Sequence, residues 1–155
     1  MSTLPKKSLV LQDEKAVYAL NKKRIPGHWT RIESWTTRGI PDSHVCRNGV
    51  CAWFENKVGY LRKDGIFLFK LKRSQYAWLT RAWQDNCPAW VCVAVNDDLF
   101  YLSARFFRRC ERTTSGNTIT IEGAVFDGAL ETTAEWSRIR GLLGIDTGVD
   151  SPEER

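Results

Sequence analysis

Asn48-Gly49 stands between two runs rich in strand-forming residues, Ser43 to Arg47 and Val50 to Val58. Asn-Gly is the favoured centre of a two-residue hairpin turn, because both positions need positive φ. With that turn Arg47 faces Val50, and Asp42 then faces Glu55 across the hairpin. The alternation of pair types makes 42/55 a non-hydrogen-bonded pair, with Cα atoms about 4.5 Å apart. Lys57 lies two residues beyond Glu55 and projects from the same face. Two acids directly opposite one another destabilise a sheet. A divalent cation reverses the sign: Mg²⁺ is commonly held by one or two carboxylates, with water and phosphate completing its shell. Lys57 beside such a pair is placed to orient an attacking water or to stabilise charge on a phosphate. The plainer reading is an Asp after a turn-forming Pro and a solvated Glu/Lys strand pair. The 42/55 pairing belongs to the two-residue turn, since a three-residue loop would shift every pair by one. The same register sets Cys46 against Cys51 and His44 against Trp53. The cysteines read as small hydrophobic packing, with a cross-strand disulfide if oxidised. His44 reads as a packed histidine.

The remaining chain supplies helices and further strands. Gln12 to Lys23 reads as a helix with Asp13 and Glu14 in its first turn, where the helix dipole favours acid. Pro26-Gly27 stops it. Trp29 to Thr36 alternates like a strand. Gly65 to Leu71 is strand-like, and Tyr76, Leu79 and Trp83 mark a helix over Arg73 to Asp85. Ala89 to Val95 is the continuous apolar run of a buried central strand. Leu99 to Leu102 and Thr118 to Ile121 are expected as strands, and Ala104 to Arg112 and Ala134 to Leu143 as helices. The order implies an α/β domain with a central mixed β-sheet flanked by helices, the 73–85 helix being the crossover to a parallel strand.

At 155 residues, 43% of them hydrophobic, the chain can bury one core and is too apolar for disorder. No run approaches the roughly 18 apolar residues of a membrane helix. Met1 to Val10 reads as a loose basic tail, and Met1 to Gln12 shows no secretory signal. The net charge is +5, although the end (Asp146, Asp150, Glu153, Glu154) is acidic. Basic residues gather between Lys57 and Arg81 and again from Arg105 to Arg112. Such a surface suits a polyanion, most simply nucleic acid, or is a solvated face. Five cysteines form no CxxC pair, and two histidines give no zinc-ligand spacing. Free thiols in a reducing cytosol are the expectation.

Gly39-Ile40-Pro41-Asp42 followed by Glu55-Asn56-Lys57 resembles the PD-(D/E)XK nuclease signature. Arg31-Ile32-Glu33 before it and Gln75-Tyr76-Ala77-Trp78-Leu79 after it resemble the VRR-NUC and Holliday-junction-resolvase-like branch, including small phage-encoded nucleases. The resemblance spans about 14–95 and implies a restriction-endonuclease-like core. It implies one nuclease domain over 1–145, elaborated over 96–145, with an acidic tail at 146–155. Carried over by position, Asp42 and Glu55 become metal ligands with the Asn56 carbonyl, and Lys57 the catalytic lysine. Glu14 takes the place of the first-helix acid, and Gln75 lies beside the site. The implied cofactor is Mg²⁺ or Mn²⁺. Asn56 departs from the usual apolar residue of the branch, and by the pleat its side chain points away from the catalytic face.

The reading that follows is a metal-dependent endonuclease hydrolysing DNA, with selectivity for branched or flapped DNA implied by the resemblance alone. Arg31, Arg38, Arg62, Lys63, Lys72 and Arg73 are the expected phosphate contacts. Two others stay open: an inactive basic DNA-binding or protein-interaction module on the same fold, and a nuclease acting on RNA. Monomeric and homodimeric action both fit, and the expected location is the cytoplasm, the host's if the chain is phage-encoded. Tyr76 and Trp78 fit base stacking, but aromatics at helical spacing are more often core.

Overall fold

A computed structural model describes residues 13–33, 37–96, 98–124 and 135–145. Asn48 and Gly49 take φ of 53° and 79°, the double positive φ that a two-residue hairpin turn demands. They join β2 (Ser43–Arg47) to β3 (Val50–Val58), and the pairs run from Arg47↔Val50 to Ser43↔Phe54 as the turn dictates. β1 (His28–Arg31) pairs with the other edge of β2.

On the other side, β3 pairs in parallel with β6 (Ala89–Val95), which is buried throughout. A parallel pair needs a long crossover. Here it contains β4 (Tyr60–Leu61), β5 (Ile66–Lys72) and the helix α2 (Arg73–Gln84). β7 (Asp98–Leu102) returns antiparallel to β6. The result is a five-stranded mixed sheet ordered β1-β2-β3-β6-β7, flanked by helices as expected.

The pleat divides this sheet into two faces. Val45, Ala52, Phe54, Trp90, Cys92, Ala94 and Tyr101 pack against Val17 of helix α1 (Glu14–Arg24) and against Ile139 and Leu143 of the helical residues 135–143. Val91, Val93, Val95 and Leu102 face Leu79 and Ala82 of α2 and a second layer. That layer is a four-stranded antiparallel sheet, β4-β5-β9-β8, whose Phe67, Phe69, Leu71 and Ile121 fill the space. Its remaining strands are β8 (Glu111–Ser115) and β9 (Thr118–Ala124).

Three sequence expectations change. The helix expected over 104–112 is a single turn, α3 (Ala104–Phe107). Glu111 already belongs to β8, because the Thr-rich run beyond it pairs with β9 across a tight turn at Gly116. Trp29 to Thr36 supplies strand only over His28–Arg31, and residues 34–36 lie outside the described residues. Cys46 and Cys51 are joined in a disulfide rather than standing as free thiols. The expected basic start (1–10) and acidic tail (146–155) also lie outside the described residues. Among the described residues no helix is long and apolar enough to cross a membrane.

Candidate active site

Ladder pairing of β2 with β3 ends at Ser43↔Phe54, so Asp42 and Glu55 sit where the two strands part. The Asp42 carbonyl accepts the Ile32 N–H at 2.8 Å, which fixes the chain beside β1. The preceding loop packs tightly on α2. Gly39 has φ +86°, and a Cβ there would collide with the Ser74 carbonyl. Only glycine tolerates both conditions.

Glu55 is 3% exposed. Its Oε2 accepts the Gln75 Nε2–H at 3.1 Å and lies 3.7 Å from the Lys57 ammonium. Its Oε1 is buried without a hydrogen-bond partner. Burial, and then the neighbouring Asp42 charge, push the Glu55 carboxyl up to about 8, against the opposing pull of Lys57. Burial also raises Asp42, opposed by the hydrogen bond from Asn56.

Two helix starts complete the cluster. Asp13 caps α1 by accepting the Ala16 N–H, which places Glu14 on the first turn with Oε2 3.8 Å from Lys57 Nζ. Gln75 is in the first turn of α2. Its Oε1 accepts the Lys72 N–H at 2.9 Å, so one side chain closes the helix start and holds Glu55. Glu14, Asp42, Glu55, Lys57 and Gln75, all singled out from the sequence, therefore form one connected cluster.

The Asn56 side chain takes part in the cluster from the other face of the sheet. It does point to the α1 face, and its side chain is fully buried. Yet its Nδ2 donates to Asp42 Oδ1 at 2.8 Å and to Ser43 Oγ at 3.1 Å. Its Oδ1 accepts from Asn21 Nδ2 at 3.0 Å, and Asn21 Oδ1 accepts the Tyr101 hydroxyl at 2.8 Å. A buried polar chain thus runs from β7 through α1 and β3 to Asp42. Sequence reasoning missed Asn21 and Tyr101. The available signal was an Asn four residues after Val17, a polar residue on the apolar stripe of α1.

The expected phosphate contacts divide by place. Arg31 lines the cleft shared by Glu14, Asp42 and Tyr60, its guanidinium 5.0 Å from the Tyr18 ring. Arg38 and Lys72 line a neighbouring polar groove with Ser74, Gln75 and Asn117. Arg62 is committed to Asp64 and Glu122, at 2.7 and 3.2 Å. Lys63 and Arg73 are exposed.

The donor set fits a hard divalent cation. Two carboxylates adjoin, and the Oε1 of Glu55 is a buried carboxyl oxygen without a hydrogen-bond partner, open to a metal ion once the proton leaves. Asp42 and Glu55 would hold the ion.

No family model matches the sequence, and no curated protein matches it. Several solved structures match the fold. One is Hjc, a Holliday junction resolvase from the archaeal hyperthermophile Archaeoglobus fulgidus. It is 12% identical over 76% of this chain and 88% of its own, with a TM-score of 0.51. At that identity the likeness establishes the architecture: this chain has a resolvase-like, restriction-endonuclease-like α/β fold.

Proposed function

We propose that this chain is a divalent-metal-dependent endonuclease that hydrolyses DNA phosphodiesters and selects branched or flapped DNA. The observation that carries the proposal is Glu55. A carboxylate this buried, beside a second one and with one oxygen left unpartnered, is a costly arrangement for a purely structural site. A binding module has no use for adjacent acids next to phosphate. The choice of branched DNA rests on the fold shared with a Holliday junction resolvase and on the sequence resemblance.

Bound Mg²⁺ or Mn²⁺ would polarise the scissile phosphate and acidify a nearby water. The chain's own groups do the rest. Lys57 sets a cation beside Glu55, where it meets the charge that develops on the phosphate. Glu14 places a second carboxylate 3.8 Å from that ammonium. Gln75 fixes the Glu55 carboxylate, and Asn56 fixes that of Asp42. Arg38 and Lys72 sit in the groove next to Gln75, where backbone phosphates of the substrate would lie.

The test is cleavage of labelled single strand, duplex, flap, fork and four-way junction, with Mg²⁺, Mn²⁺ or EDTA. Metal-dependent cutting that disappears in both Asp42→Ala and Lys57→Ala is expected, with a branched substrate preferred. Tight, salt-sensitive binding of these DNAs without cutting under any metal would refute the proposal in favour of a binding module.

A further inference from the structure

Linear spacing gives the two histidines and five cysteines no metal-ligand pattern, but the sheet gathers four of them. Antiparallel partners share a face. β1–β2 pairing sets His28 opposite Cys46 and Thr30 opposite His44. β2–β3 pairing sets Cys46 opposite Cys51 and His44 opposite Trp53. One face therefore carries His28, Cys46 and Cys51 in one row and His44 in the next. These are both histidines of the chain.

His44, Cys46 and Cys51 offer ligand atoms that all lie within 4.8 Å of one another. The Cys46 sulfur is 3.8 Å from His44 Nε2 and 3.9 Å from Nδ1. Zinc–sulfur and zinc–nitrogen bonds of about 2.3 and 2.0 Å place a thiolate and an imidazole on one tetrahedral ion about 3.6 Å apart. The His44 ring rests on Trp53, with centroids 4.4 Å apart, which limits its rotation. His28 is exposed and lies within side-chain reach of Cys46 across the ladder.

We propose that, when the disulfide is reduced, Cys46, Cys51 and His44 bind a zinc ion, with His28 as the fourth ligand. Two equivalents of a small thiol reduce Cys46–Cys51. The sulfur–sulfur bond breaks, each cysteine gains one electron and one proton, and the reductant leaves as its own disulfide. Zn²⁺ then displaces the two thiol protons as it binds. The ion ties β1, β2 and β3 together at the turn end of the hairpin, whereas the disulfide ties only β2 to β3. Soft sulfur ligands separate this site from the all-oxygen pair of Asp42 and Glu55.

The experiment titrates reduced, metal-free full-length protein with Co²⁺ and then Zn²⁺, in the absence of DNA. The expected result is one equivalent of Co²⁺ with a thiolate-to-cobalt charge-transfer band, displaced by Zn²⁺. The band should vanish in Cys46→Ser and Cys51→Ser, weaken at least tenfold in affinity in His44→Ala and His28→Ala, and persist in Asp42→Ala. Zn²⁺ should also slow alkylation of Cys46 and Cys51 in the wild-type chain, read by peptide mass. That second readout does not depend on how the variants fold. No band in the reduced protein, a band that survives both serine variants, or alkylation indifferent to Zn²⁺ would overturn the proposal.

Discussion

Replacing Glu55 by Gln should stabilise the metal-free fold near neutral pH while abolishing metal-dependent cleavage. Burial and Asp42 raise the Glu55 carboxyl from 4.5 to about 8. The folded state therefore holds this proton more tightly than the unfolded chain does. Its contribution to stability is complete below about pH 4.5 and is lost progressively as pH rises towards 8. By pH 7 the unfolded carboxyl is ionised and the folded one largely is not, a difference of about 3 kcal/mol. Gln keeps the shape of the neutral acid and its contact with Gln75 but does not titrate. Urea unfolding in EDTA at a series of pH values measures the effect. Wild type should lose about 3 kcal/mol between pH 4.5 and 7 relative to Glu55→Gln. Parallel curves for the two proteins over that range would refute the reasoning, because Glu55 would then ionise in the fold as freely as in the unfolded chain.

Three further outcomes follow from the geometry. Metal binding must expel the Glu55 proton, so Mg²⁺ affinity measured by calorimetry should rise about tenfold per pH unit below 8, with proton release, and flatten above it. Asn56→Leu keeps the branching and heavy-atom count of the side chain but removes the donor to Asp42 and leaves Asn21 Nδ2 unpaired. It should lower Mn²⁺ affinity by 10- to 100-fold, read by Mn²⁺ titration with electron spin resonance, and cost about 2 kcal/mol in urea unfolding. Glu135 is buried and accepts from Trp90 Nε1 and Ser103 Oγ, each at 2.6 Å. Glu135→Ala should therefore cost about 3 kcal/mol, seen as a lower melting temperature, with metal affinity at Asp42 and Glu55 unchanged.

Sequence alone located the elements that local pattern determines. The Asn48-Gly49 turn fixed the hairpin register residue by residue, and Ala89–Val95 emerged with the bounds read from its apolar run. Glu14 and Gln75 were reached through resemblance rather than through pattern. The second sheet was not legible, because β5 and β9 each read as isolated strands and their pairing joins distant parts of the chain. Asn56 illustrates a different limit. The pleat correctly gave its direction, but Asp42 lies past the end of β2, outside the ladder that the pleat describes, and its carboxylate accepts from the Asn56 amide. The His28–Cys46 neighbourhood likewise required the register of β1, for which no turn supplied a signal.

The spread of pairing distances along the chain also sets an order of assembly. Asp42 and Glu55 belong to one hairpin, which closes a short loop and loses little chain entropy in forming. The groove beside them is flanked by Lys72 and Asn117, which come together only when residues 66–72 pair with residues 118–124. Such long-range pairing forms late. Pulsed amide exchange during refolding should accordingly show β2 and β3 protected before β5 and β9. The acid pair is built on the most locally folding part of the molecule, and the walls of its neighbouring groove on the part that must be brought together from across the chain.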